Sequence, residues 1–126
     1  MNVLVDTSVW IDHFRHGNDD LVNLLGRDQV LTHPMVILEI ACGTPPAPRL
    51  QTINNMELLR LCNQVSMAEA MAFIEQEALY GLGCGLVDIM LLASTLITPG
   101  SSIWTLDKRL MILAERFDVA YQTSRH

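Results

Sequence analysis

Four carboxylates stand alone inside apolar stretches of the sequence: Asp6, Glu39, Asp88 and Asp107. Burying an ionised carboxylate without a partner costs several kcal/mol or more, so each needs a base, a helix N-terminus or a metal ion beside it. Bases are scarce, because the chain has one lysine and seven arginines, most of them in segments that we expect to be exposed. The four acids therefore favour a bound divalent cation, and hard oxygen ligands favour Mg²⁺ or Mn²⁺.

The predicted elements bring these acids towards one place. Asp6 and Asp107 directly follow predicted strands. Asp88 lies in the first turn of a predicted helix, and Glu39 lies about one and a half turns after Pro34. Ligands of open parallel sheets collect beyond the carboxyl ends of the strands, so we expect the acids at one edge, where their repulsion favours one or two cations. Each acid also has a simpler explanation as a helix cap or a solvated position, most readily Glu39 and Asp107.

Strands and helices alternate along the chain. Short apolar runs predict strands at residues 2–5, 29–32, 61–65, 102–105 and 119–121. Helical signals lie between them: a start at Thr7 or Ser8, Pro34 opening residues 35–42, a capping box opening residues 67–80, and residues 86–97. Two stretches, 43–48 and 81–85, are predicted loops, and neither matches a phosphate-binding signature. This order predicts an α/β fold, a three-layer α/β/α sandwich with a mostly parallel central sheet.

Size and composition limit the class of protein. With 126 residues, 50% of them hydrophobic and 17% charged, the chain is expected to form a single domain over residues 1–126. The net charge of −6 argues against a protein that holds nucleic acid mainly by a broad basic face. Three widely spaced cysteines support neither a disulfide framework nor a zinc site. With no signal-peptide pattern and no long apolar run, the sequence predicts a soluble cytoplasmic protein without a membrane span.

Four sequence blocks carry a resemblance to a known family. They occur in order over essentially the whole chain and read VDTSVWID at residues 5–12, EIACG at 39–43, GLVDIMLLA at 85–93 and WTLDKRL at 104–110. The chain resembles the PIN-domain ribonucleases, and the order and spacing of the blocks are similar to the VapC-type toxins of bacterial toxin–antitoxin pairs. Two positions depart from the pattern: Arg109 stands where many relatives have a further acid, and Leu86 where an aromatic residue is common. The first departure bears on whether a second metal ion binds.

The resemblance implies a PIN-like fold and a Mg²⁺-dependent endoribonuclease, with Mn²⁺ as a substitute. Its catalytic, metal-holding acids are then Asp6, Glu39, Asp88 and Asp107, with Ser8 and Thr105 as supporting polar residues. A metal-activated water attacks the phosphodiester in line, and which carboxylate takes its proton stays open. Three cations close in sequence to the acids are expected to grip RNA phosphates: Arg15, Lys108 and Arg109. The implied partners are RNA, a small antitoxin protein and a second copy of the chain, with DNA bound only indirectly through the antitoxin.

Two other classes of protein compete with this interpretation. Phosphoryl-transfer domains, namely receivers and aspartyl phosphatases, also place an aspartate at the end of the first strand. An aspartyl phosphatase needs Asp-x-Asp, which Asp6-Thr7-Ser8 does not supply, and a receiver needs paired acids there. A degenerate PIN-like interaction module is the non-enzymatic alternative. It predicts that some of the acids are missing, and all of them are present.

Overall fold

The computed structural model describes residues 1–123. Strands and helices alternate in the order β1 (Asn2–Val5), α1 (Thr7–His16), α2 (Asp19–Gly26), β2 (Val30–Thr32), α3 (Pro34–Cys42), α4 (Arg49–Glu57), β3 (Arg60–Leu61), α5 (Met67–Glu77), α6 (Leu86–Leu96), β4 (Ser101–Trp104) and α7 (Lys108–Arg116). In this part of the chain no helix is both long and apolar enough to cross a membrane.

The central sheet has four parallel strands in the order β3-β2-β1-β4, with Val5 opposite Trp104 at the carboxyl ends of β1 and β4. From β1 the chain winds to β2 and β3 on one side and later returns to β4 on the other. Right-handed crossovers put the helices of these two paths on opposite faces of the sheet. The packing agrees, because α3 contacts α1 and α4, whereas α6 contacts α5 and α7. The predicted three-layer α/β/α fold is confirmed.

Local sequence explains where the elements that border the site begin. Val3, Leu4 and Val5 are each 1% exposed or less, as expected for a central strand covered on both faces. α5 begins with the predicted capping box, in which Ser66 and Glu69 each accept a backbone N–H of the other. α6 passes through the interior, and its buried residues run from Ile89 to Thr95. The buried turns of α6 fix the helix whose first turn carries Asp88.

Some predicted elements are shorter than the sequence indicated. The predicted strand at 61–65 is wrong in extent, because β3 covers only Arg60–Leu61. Residues 119–121 form only an isolated parallel bridge, between Ala120 and Ile103, and not a full strand. The helix expected over 67–80 ends at Glu77, where Ala78 takes a left-handed conformation. Helices α2, α4 and α7 were not anticipated, since their short patterns alternate with loop residues.

Candidate active site

The reversal point of the sheet, between β1 and β4, positions the most buried acid. Asp6 follows β1 directly and is 5% exposed, and Thr105 follows β4 and is fully buried. Thr105 Oγ1 donates to Asp6 Oδ2 over 2.7 Å, and Ser8 Oγ donates to the same oxygen over 2.7 Å. Asp6 Oδ1 has no hydrogen bond within residues 1–123. The site residue predicted at the first strand therefore presents one fixed and one available oxygen.

The hydroxyl groups of Ser8 and Thr105 also accept hydrogen bonds from the backbone. Thr105 Oγ1 accepts from the backbone N–H of Asp107 over 3.0 Å, and Ser8 Oγ accepts from that of Leu106 over 3.0 Å. Each hydroxyl has a single hydrogen, and each directs it at Asp6. The 3.3 Å contact between the two hydroxyl oxygens thus contains no donated hydrogen. Ser8 and Thr105 fix the rotamer of Asp6 and tie the β1 edge to the segment that leads to Asp107.

Glu39 lies on the exposed side of α3 and reaches the same edge. The hydroxyl group of Thr7, the residue next to Asp6, donates to Glu39 Oε1 over 2.6 Å. Thr7 is 8% exposed, so this bond joins a buried group on α1 to a carboxylate at the rim. Sequence reasoning used Thr7 only as a helix start. Its place beside Asp6 is the signal that would have included it in the site.

Asp107 is the N-cap residue of α7. Its Oδ1 accepts from the backbone N–H of Leu110 over 2.9 Å, which satisfies one of the free N–H groups at the start of the helix. The role of a helix cap therefore holds for one oxygen of this acid. Its Oδ2 has no hydrogen bond within the described chain. Capping orients the carboxylate and leaves an oxygen available at the sheet edge.

Asp88 shows that the acids act on one another. It is partly buried in the first turn of α6, after Gly85. Burial raises the pKa of this carboxyl, and the negative charges of Asp6, Asp107 and Glu39 raise it further, against a smaller opposing effect of a backbone hydrogen bond at Gly85. All four acids identified in the sequence thus lie within electrostatic reach at one edge of the sheet.

The donor chemistry of this edge fits a hard divalent cation. The available atoms are carboxylate oxygens, which Mg²⁺ and Mn²⁺ prefer, and their mutual repulsion is relieved by positive charge. In residues 1–123, no three histidine, cysteine, aspartate or glutamate side chains are arranged as a ready-made ligand set. Asp6 and Asp107 are held by their own hydrogen bonds, each through a single oxygen, so the other oxygen remains free for a cation.

The three cations named from the sequence take different places. Arg15 lines a shallow cavity of about 180 Å³ together with Glu39, so it lies at the rim of the acidic edge. Lys108, the first residue of α7, is exposed and forms no hydrogen bond or ion pair with any residue from 1 to 123. Arg109 donates through Nη1 to the carbonyl oxygen of Gly83 over 3.1 Å. Within residues 1–123, Arg15 and Lys108 have no hydrogen bond or ion pair, whereas Arg109 uses one N–H of its guanidinium on the Gly83 carbonyl.

Substitution Asp88→Asn is expected to raise the melting temperature of the metal-free protein at neutral pH. Because the folded-state pKa lies above the ordinary value of 3.8, ionised Asp88 destabilises the native state, and this loss develops as the pH rises above 3.8. The difference between variant and wild type should therefore shrink as the pH falls from about 7 to about 4. Thermal unfolding in chelator measures it. A variant less stable than wild type at neutral pH would contradict the repulsion.

The family model described as PIN domain matches residues 3–116. The chain belongs to the PIN-domain family. Two relatives, each named Ribonuclease VapC32 and found in two strains of Mycobacterium tuberculosis, are 38% identical to this PIN-domain chain over 118 residues, which is 94% of this chain and 94% of theirs. The resemblance drawn from the four blocks is confirmed, and the receiver and phosphatase folds are excluded.

Proposed function

We propose that this PIN-domain chain is a Mg²⁺-dependent endoribonuclease that acts in the cytoplasm as the toxin of a toxin–antitoxin pair. The observation that carries the proposal is the convergence of four carboxylates at the reversal point of the parallel sheet. The negative charges of the other three acids raise the pKa of Asp88 there. The relatives named Ribonuclease VapC32 support the same activity.

The acids have distinct tasks in this proposal. Asp6 offers Oδ1 to the cation, because Ser8 and Thr105 hold its other oxygen. Asp107 offers Oδ2 while its Oδ1 caps α7. When bound, the divalent cation supplies the positive charge that makes water more acidic and stabilises the crowded phosphorus centre. The carboxylates orient the attacking water on one side of the phosphodiester, and one of them accepts its proton.

RNA needs cations near a negative site on an acidic protein. Arg15 at the rim beside Glu39 and Lys108 at the start of α7 are the side chains that we assign to RNA phosphates. Arg15 lines a cavity with Glu39, and Lys108 follows Asp107 in the sequence. They position the strand, and base contacts are left to other residues.

A degenerate interaction module is the weaker alternative. A protein that only binds a partner gains nothing from Asp6, a carboxylate 5% exposed with one oxygen unbonded within residues 1–123. Such a group lowers stability unless a ligand satisfies it. Purified protein incubated with cellular RNA separates the two functions: cleavage in Mg²⁺ or Mn²⁺ that stops in chelator supports the nuclease, and no cleavage under either condition supports the module.

The partner proteins are also part of the proposal. Two cavities of about 180 and 290 Å³ lie along α1 and the 43–48 loop, and Phe14 lines both. A small antitoxin whose arginine side chain reaches Glu39 from this groove would cover the acids and compete with the cation. DNA would then be bound through the antitoxin. A third cavity of about 380 Å³, lined by Pro34, Leu38 and Leu61 among others, offers an apolar face for a second copy of the chain.

Expression of the chain alone in a bacterium is expected to slow growth, and co-expression with a small protein encoded beside it is expected to restore growth. Slow growth should require Asp6, because RNA cleavage does. Growth curves of strains that express wild type or Asp6→Asn at equal soluble levels measure this. Normal growth with soluble, folded wild-type protein would remove the toxin role and leave a housekeeping nuclease.

A further inference from the structure

The loop that precedes α6 is fixed by an arginine from another helix. Residues 81–85 connect α5 to α6 and contain two glycines in left-handed conformations, Gly81 at φ +72° and Gly83 at φ +83°. The N-cap residue of α6 is Gly85, which has no side chain to cap the helix. The first turn of α6, which carries Asp88, therefore has no side-chain support from its own N-cap, and contacts of the loop add to the hold of the buried turns that follow.

Arg109 supplies such a contact from the first turn of α7. Its Nη1 donates to the carbonyl oxygen of Gly83 over 3.1 Å. A Cβ atom placed on Gly83 would lie 3.0 Å from Arg109 Cζ and 3.1 Å from both Nε and Nη1. Near-equal distances to the three atoms show that the face of the guanidinium lies against Gly83. Glycine is required at position 83 for two reasons: the left-handed backbone conformation and the close approach of the guanidinium.

The contact ties together the two helices that hold two of the acids. Arg109 lies two residues after Asp107, and Gly83 lies five residues before Asp88. Cys84, which follows Gly83, lies within electrostatic range of Asp88, Asp107 and Arg109. Arg109 nevertheless forms no ion pair with any acid in residues 1–123. Its hydrogen bond goes to the backbone carbonyl of Gly83, so Arg109 does not occupy the unbonded oxygens of Asp6 and Asp107.

We propose that Arg109 is a positioning residue that fixes the 81–85 loop and thereby sets Asp88 relative to Asp107. This deepens the proposed nuclease function and rests on it for the catalytic consequence, though not for the structural one. It also changes the role expected from the sequence, in which Arg109 was grouped with Arg15 and Lys108 as a grip for RNA phosphate. Lysine is a poor replacement, since an ammonium group lacks the flat face that covers Gly83.

Cys84 reports on the loop without any substrate. The chain has three free cysteines: Cys42 is exposed, Cys62 is buried and Cys84 is intermediate. In metal-free, RNA-free protein, Arg109→Ala and Arg109→Lys should each speed alkylation of Cys84 by iodoacetamide roughly tenfold, the ratio that follows from losing one hydrogen bond to a charged group. Peptide mass spectrometry gives the rate, with Cys42 as the reference and protected Cys62 as the check that the variant is folded.

The direction of the change separates loop opening from electrostatics. Burial and the charges of Asp88 and Asp107 raise the pKa of the Cys84 thiol, and the Arg109 guanidinium opposes this rise. Removing the Arg109 charge alone would therefore raise the pKa further, reduce the thiolate fraction and slow the reaction. Faster alkylation therefore reports exposure of the loop. Gly83→Ala should produce the same increase, because its Cβ displaces the guanidinium. Lys108→Ala, the neighbouring exposed cation, is the matched control and should leave the Cys84 rate unchanged.

Activity gives the second measurement. Arg109→Ala should lower kcat for RNA cleavage with little change in KM, whereas Lys108→Ala should raise KM. Unchanged Cys84 reactivity in both Arg109 variants, or a rise in KM with kcat preserved, would overturn the positioning role and restore the phosphate grip. If no variant and no wild-type protein cleaves RNA, the nuclease proposal fails, and the Cys84 rates still decide whether Arg109 fixes the loop.

Discussion

Replacing Asp6 by asparagine is expected to lower the rate of metal-dependent RNA cleavage roughly a thousandfold or more, the range seen when a central catalytic group is removed. Asparagine is nearly the same shape, so the fold is retained. The hydroxyl groups of Ser8 and Thr105 both donate to Asp6 Oδ2, and in the variant they select the amide oxygen for that place. The amide NH₂ is then forced into the place of Oδ1, where two donors face a cation that needs an acceptor.

The matched control is Asp118→Asn. Asp118 is exposed, lies beyond the far end of α7 from Asp107, and has a left-handed backbone at φ +58° that asparagine also tolerates. The Asp118→Asn substitution removes one negative charge outside the candidate site. Initial rates on one RNA substrate in Mg²⁺, with circular dichroism to verify folding, make the comparison. Equal loss in both variants, or full activity in Asp6→Asn, would show that Asp6 does not hold the catalytic ion.

The sheet was predictable because its strands are short apolar runs that end at recognisable residues. The run 2–5 is buried on both faces and stops at Asp6, and the β1 bounds follow from that alone. The predicted strand at 61–65 is too long, because pairing with β2 ends at the hydrogen bond from the Cys62 N–H to the Thr32 carbonyl, and Val65 is buried by packing. Buried positions carry apolar side chains in strands and in irregular segments alike. Sequence alone does not separate the two.

The acids of the site were predictable from their apolar neighbours, but their contacts were not. Nothing local to Thr7 indicates a bond to Glu39, because the two residues are 32 positions apart and meet only when α3 packs on α1. The sequence predicts an RNA-phosphate contact for Arg109 from its charge and its closeness to Asp107. Its partner is a carbonyl group 26 positions earlier, made accessible by the left-handed backbone of Gly83. Long-range contacts of this kind depend on the sheet order, which brings β4 and α7 beside β1.

Saturation with Mn²⁺ is expected to raise the melting temperature of the wild-type chain by about 10 °C. A ligand at about one hundred times its dissociation constant stabilises the native state by about 2.7 kcal/mol, which in a domain of this size corresponds to roughly 8–15 °C. Relief of the repulsion that Asp6, Asp107 and Glu39 exert on Asp88 contributes to the affinity for the cation and is contained in its dissociation constant. Scanning calorimetry in chelator and in a series of Mn²⁺ concentrations measures the shift.

Site variants decide whether this shift comes from the proposed centre. Asp6→Asn and Asp88→Asn each remove a ligand and part of the repulsion, so both should shift by less than about 3 °C at the same Mn²⁺ concentration. The melting temperatures of the two variants should differ without metal. Asp88→Asn removes a carboxylate whose pKa is raised, whereas Asp6→Asn converts a carboxylate bonded by two hydroxyl groups into a weaker acceptor. Asp118→Asn should keep the wild-type shift. Equal Mn²⁺ shifts in all four proteins would place the stabilising cation outside the acidic edge of the sheet.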